Sequence, residues 1–179
     1  MRSLIRRTSV AVATLIGATT LAAVVPATAH AAPCTNATTP VLERDLTVDW
    51  GGAIVDHAGS LRGFDLRPGD AIEVVNVGGD IWAGVAFTGR NGPRGWENWP
   101  APDDGRWPLP GVNLYSLIGQ FKDRHTGVKR GAFFIGNGTE RCIPVPHTGT
   151  SVLFLEHNDQ WPLDNDGAFT ARVRVWRPA

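Results

Sequence analysis

The segment GAFTARVRVW (167–176) alternates without a break between apolar and polar side chains. Phe169, Ala171, Val173 and Val175 fall on one face of an extended chain, and Thr170, Arg172, Arg174 and Trp176 on the other. A period of two is the signature of a β-strand with one side on a core, and it is incompatible with an amphipathic helix. Six more β-prone runs precede it: LTVDWGGAIVD (46–56), AIEVVNVG (71–78), IWAGVAF (81–87), LYSLIGQF (114–121), GAFFIGN (131–137) and TSVLFLEH (150–157). The core of the last of these, SVLFLE, is apolar on both faces, as a strand covered on both sides requires. Gly, Pro, Asn and Asp clusters separate the runs, and Arg67-Pro68-Gly69-Asp70 is a tight-turn signal. Seven short strands with this punctuation, and no apolar stripe of helical period, predict an all-β chain folded as a β-sandwich.

One interval breaks the rhythm. TGRNGPRGWENWPAPDDGRWPLPGVN (88–113) is rich in Gly, Pro and Trp and has no strand pattern. An ordered loop of that length in a compact domain usually carries function. Trp96, Trp99 and Trp107 lie in it and Trp161 lies in a later turn. Indoles outside strands either pack a loop down or offer flat faces to a sugar ring, and both uses remain open for these four.

The N-terminus reads as an export signal: Arg2, Arg6 and Arg7, the apolar run 10–25, then Ala29-His30-Ala31 as a small-residue cleavage site. The apolar run is shorter than the roughly 20 residues of a membrane span. The Arg6-Arg7 pair leaves open whether the route is general or twin-arginine export. The expected organisation is therefore a signal peptide over 1–31, a polar leader over 32–44 and one domain over 45–179, secreted to the extracellular space. Lys+Arg and Asp+Glu number 17 each, and removing 1–31 takes away three arginines and no acid, leaving 14 against 17. A net charge near −3 argues against nucleic-acid binding and a polybasic membrane anchor, and no second apolar run could span a bilayer. Both cysteines, Cys34 and Cys142, follow the cleavage site, and an isolated pair in an exported chain most simply forms one disulfide.

Between the last two predicted strands lies Asn158-Asp159-Gln160-Trp161-Pro162-Leu163-Asp164-Asn165-Asp166-Gly167. Carboxylates and amides on a proline-stiffened turn can converge their oxygens on one point, and calcium takes six to eight such ligands in irregular geometry. The same composition also suits a polar hairpin whose Asp and Asn bond their own backbone. For catalysis, Glu97, Asp103, Asp104 and Glu156 are the carboxylates that could pair, yet no histidine has ligand spacing and no nucleophile motif is present. The chain is not expected to be an enzyme.

Four motifs occur in a fixed order: GPRG (92–95), YSLIGQF (115–121), FFIGNG (133–138) and NDQWPLDNDGAFTARV (158–173). Together they resemble the PA-I galactophilic lectins, the LecA-like family, over roughly 45–176. The resemblance implies a jelly-roll-like, galactose-binding-domain-like β-sandwich that binds one calcium ion, with two sugar hydroxyls ligated directly by the ion. Carried over by position, Asp159 matches the family's calcium-binding aspartate. Asp164 and Asn165 match an asparagine pair that holds both calcium and sugar. The Leu163 carbonyl stands where the family has a backbone ligand, in a turn two residues shorter, and a further backbone ligand is expected from the 82–88 region. The family's sugar-contacting His-Pro pair falls on Trp99 and Pro100, and its sugar-contacting glutamine falls near Asp103. Trp99 or Trp161 would cover the apolar face of the sugar. These departures leave the sugar unnamed, a galactose-like one included, and the oligomeric state open, a homo-oligomer included. The expectation is a secreted calcium-dependent lectin. The alternatives are a calcium-stabilised extracellular structural or protein-interaction domain without sugar binding, and a small glycan hydrolase.

Overall fold

The computed structural model describes residues 34, 39–49, 65–146 and 149–178. The expected signal peptide, residues 32, 33 and 35–38 of the leader and the second half of the run 46–56 lie outside the described residues. Among the described residues eight strands form: β1 (Leu42–Asp49), β2 (Ala71–Trp82), β3 (Arg90–Asn91), β4 (Leu117–Asp123), β5 (Lys129–Phe134), β6 (Ile143–Pro144), β7 (Ser151–His157) and β8 (Asp166–Trp176). They make two antiparallel sheets. One runs β1-β8-β2-β3, with β6 pairing the start of β2, and the other runs β5-β4-β7. The architecture is the all-β sandwich expected.

The alternation in 167–176 explains why β8 is central in its sheet. Phe169, Ala171, Val173 and Val175 are all buried. They meet Val48, Leu66, Ile72, Val74 and Ile81, together with Leu117, Phe121, Leu153 and Leu155 from the other sheet, in one core. Each such side chain contributes about 1.5–3 kcal/mol when buried. The opposite face of β8 carries charge: Arg172 bonds Asp45 at 2.7 and 3.0 Å, and Arg174 reaches Glu43 and Glu73 on the flanking strands. Cross-strand ion pairs of this kind fix register more than they add stability.

The runs 71–78 and 81–87 do not form two strands. A single strand, β2, passes through the glycines on a bulge between Val75 and Gly78, keeps pairing with β8, and ends at Trp82. Asn76 holds φ at 51° inside this irregularity. Extra residues absorbed in a bulge let a strand continue where the sequence reads as a break.

The 67–70 turn forms as predicted, with Gly69 at φ 91° and Asp70 N–H bonded to Arg67 O at 3.0 Å. Asp70, 1% exposed, then accepts two hydrogen bonds from Arg177, at 2.8 and 2.7 Å, which ties the chain's end to the turn. The Cys34–Cys142 disulfide is formed, with Cα atoms 6.2 Å apart across 108 positions of sequence. In the loop-entropy account, closing such a loop stabilises by roughly 4–5 kcal/mol. Among the described residues no helix is long and apolar enough to cross a membrane.

Candidate functional site

The segment between β7 and β8 begins with a buried side chain that organises what surrounds it. Asn158 accepts from Leu109 N–H at 2.9 Å and donates to the carbonyls of Leu109, Val112 and Asn113 at 2.9–3.2 Å. Its backbone exchanges bonds with Tyr115 and Ser116. The far end of the long loop is thereby fastened beside Asp159. The loop is ordered by pairing with itself: Trp96 and Ala101 donate to Leu114 and Val112, and Leu114 donates back to Trp99. Pro100 lies opposite Asn113 in this pairing.

Asp159 is 6% exposed. Its Oδ1 accepts from Trp161 N–H at 2.9 Å, an Asx turn, while its buried Oδ2 has no partner. Pro162–Asp164 then form one 3-10 turn, with Asn165 N–H donating back to Pro162 O at 3.3 Å. Asn165, 5% exposed, places its Nδ2 3.1 Å from Nδ1 of His157. Burial holds the His157 ring neutral, its pKa pushed down to about 3, and the Asn165 amide nitrogen faces the ring with the amide oxygen turned away from it. That oxygen, Oδ1, is buried and has no partner. Asp164 is exposed, with its carboxylate packed against Gly84, whose φ of +71° and missing Cβ allow the approach; a Cβ there would overlap the carboxyl group.

The Asp164 carboxylate acts on Asp159. Burial raises the Asp159 pKa and the Asp164 charge adds to the rise, against the Trp161 and Gln160 N–H groups and the nearby Asn165 amide. The buried Tyr115, in the left-handed region at φ 63°, is raised by burial and by the charges of both Asp159 and Asp164, so it too faces the pair. No described Lys or Arg forms an ion pair with either acid. The Asp159 carboxylate with its buried unpartnered oxygen, the Asp164 carboxylate and the unpartnered amide oxygen of Asn165 form a donor set suited to a hard cation. No group of three or more His, Cys, Asp or Glu converges among the described residues, and the donors in this turn are two carboxylates and an amide oxygen. That chemistry fits calcium, which takes amide and carbonyl oxygens readily, better than zinc.

Gly84 leads into a turn over 85–88, closed by Thr88, whose N–H and hydroxyl both donate to Val85 O, at 3.1 and 2.9 Å. The turn brings part of the 82–88 region to Asp164, and it carries Phe87, 78% exposed. Phe87 leans on Trp96 at 5.6 Å between centroids, and Trp96 stacks on Trp99 at 4.5 Å and 10°. Trp99 is 55% exposed, so an aromatic shelf of three rings stands beyond the turn that Asp164 packs on. Trp96 and Trp107 also pack on the core, and Trp107 meets Tyr115 edge-on.

The expected residues are thus distributed unevenly. Asp159, Asp164 and Asn165 come together, and Trp99 and Pro100 sit on the loop fastened beside them. Trp161 and Leu163 are exposed at 69% and 71% on the turn itself. Asp103 is exposed farther along the loop, where Asp104 makes the ion pair, with Arg106. Trp96 was weighed from sequence among the four indoles that pack the loop or meet a sugar, whereas Phe87 and Gly84 were not singled out. Their signal was faint, consisting of one aromatic and one glycine in a run that read as a strand. The other carboxylates weighed for catalysis are in ion pairs: Glu97 faces Arg94 and Glu156 faces Lys122, each at 3.8 Å.

No protein-family model matches the chain, and no curated protein matches it. Among solved structures, the chain is similar to the EclA N-terminal domain, described as a PllA-like lectin. The identity is 24%, with 75% of this chain and 95% of that chain covered and a TM-score of 0.46.

Proposed function

We propose that the chain is an exported, calcium-dependent carbohydrate-binding protein whose site is the turn between β7 and β8. The observation that carries the reading is the pair of buried, unpartnered oxygens, Asp159 Oδ2 and Asn165 Oδ1, beside the second carboxylate of Asp164. A buried polar atom without a partner costs about 1–3 kcal/mol, and these two lie in one charged turn with a third, Gln160 Oε1, an arrangement that a shared cation would serve. The resemblance to the PA-I lectin motifs supports the same residues from the sequence side, and the disulfide supports an oxidising compartment.

Asp159, Asp164 and Asn165 would hold the ion, with backbone oxygens of the Leu163 turn and of the 82–88 region completing the set. Bound there, calcium supplies positive charge and coordination positions that vicinal sugar hydroxyls can occupy. The protein's own part is orientation. Asp164, exposed at the rim, accepts from a hydroxyl, and Trp99 offers an apolar face to the ring. A shallow site of this kind binds one sugar with about −4 to −8 kcal/mol, millimolar to micromolar.

Titration calorimetry on the protein without residues 1–31 tests this. The wild type should bind calcium and, only in its presence, a simple sugar; Asp164→Ala should lose both. Calcium binding with no sugar response in any condition would favour a calcium-stabilised structural domain. Release of reducing ends from a glycan would favour a hydrolase.

A further inference from the structure

Against Trp96 lies a cleft of about 360 Å³ whose lining includes none of Asp159, Asp164 and Asn165. Trp96 forms one wall, and Arg90, Asn91, Arg94, Glu97 and Asn137 supply the polar lining. Its volume is at the small end of ligand sites, the size of a single ring rather than of a peptide. Its charges are balanced. Arg90 pairs with Asp80 and lies 3.6 Å from Asp166, and Arg94 pairs with Glu97. A strongly anionic ligand therefore finds no free cation to meet it.

What remains is planar, polar and available. Asn137 sits exposed on the 136–138 turn, and among the described residues its side-chain amide has no hydrogen-bond partner. The Arg94–Glu97 pair is long, at 3.8 Å, with both side chains more than 60% exposed, so either partner can turn to a ligand at little cost. An aromatic wall with an amide, a guanidinium and a carboxylate around it is the chemistry that reads a neutral sugar ring, by its apolar face and its vicinal hydroxyls. The cleft is linked to the first site through the aromatic shelf, because its wall Trp96 is stacked on Trp99 and lies 5.6 Å from Phe87 of the turn that packs on Asp164.

We infer that this cleft is a second sugar subsite, so that the ligand is a neutral oligosaccharide with one ring at the oxygen cluster and the next against Trp96. The inference rests on the calcium-lectin reading of the first site. The test is calorimetry in calcium with methyl glycosides of galactose, glucose, mannose, fucose and N-acetylglucosamine, each beside di- and trisaccharides that end in the same sugar. An oligosaccharide should bind about tenfold tighter than its terminal monosaccharide, the return on one or two added hydrogen bonds to charged groups. Asn137→Ala with Arg94→Ala, both at exposed positions, should erase that gain and leave monosaccharide affinity unchanged. Equal affinity for long and short sugars overturns the cleft alone, as does a double variant that keeps the gain or weakens both ligands alike. If no sugar binds the wild type with calcium present, the reading of the first site fails and the cleft fails with it.

Discussion

Gly84 offers a sharp test because two separable costs meet there. Its φ of +71° is left-handed, and placing an alanine in that conformation costs about 1–2 kcal/mol. The new Cβ would also overlap the Asp164 carboxylate, which must then move. Gly89 provides the control: its φ is +64°, and a Cβ there meets nothing within 4 Å. Gly84→Ala and Gly89→Ala should therefore both lower the melting temperature of the calcium-free protein by about 2–8 °C, at the usual few degrees per kcal/mol for a domain of this size. Only Gly84→Ala should weaken calcium, by about tenfold or more, as displacing or misorienting a ligand does. Chelator-competition titration and a thermal melt of each variant read the two effects apart. If Gly84→Ala binds calcium as tightly as the wild type, Asp164 is not a ligand and the site has been drawn in the wrong place.

Asp159→Asn removes a buried carboxylate held against Asp164, so in chelator it should melt no lower than the wild type, while calcium should no longer raise its melting point. Arg177→Ala strips the buried Asp70 of two charge-assisted bonds and should cost about 3 kcal/mol in denaturant unfolding, whereas Arg172→Ala on the exposed face should cost under about 1. Asp123 is held below the usual carboxylate range by Thr126 N–H, then by Arg130 and His125 N–H. A depressed pKa adds stability above the unfolded value, near about 4, and loses it as pH falls toward the folded value. Asp123→Asn should thus melt below the wild type at pH 7, with the gap closing as the pH drops under about 4.

The fold was legible because β8 and β7 state their environment outright. Strict alternation marks the half-exposed centre of one sheet, and apolar residues on both faces mark a strand buried from both sides. The errors fell where tertiary pairing overrides a local break: the glycines at 78 and 79 read as a strand end, yet β8 holds β2 together across them. Strands of two residues, such as β3 and β6, leave no pattern to read. The side chains of the candidate cation site were legible because Asp159, Asp164 and Asn165 lie within one short turn. The aromatic shelf was not, since Phe87, Trp96 and Trp99 meet only when the long loop folds onto itself and Asn158 fastens its end. His157 read as an ordinary strand residue, and its role in turning the Asn165 amide depends on a contact eight positions away.

The central claim is that the β7–β8 turn holds calcium in the folded state and presents it to sugar. A thermal melt of the wild type in calcium and in chelator, each with and without single sugars, tests it directly. A ligand at 100 times its Kd stabilises the folded state by about 2.7 kcal/mol. At that level calcium should raise the midpoint by about 5–11 °C, and one sugar should raise it further only when calcium is present. An unchanged midpoint in calcium would contradict the account, because two buried oxygens and two facing carboxylates would then be serving no ion.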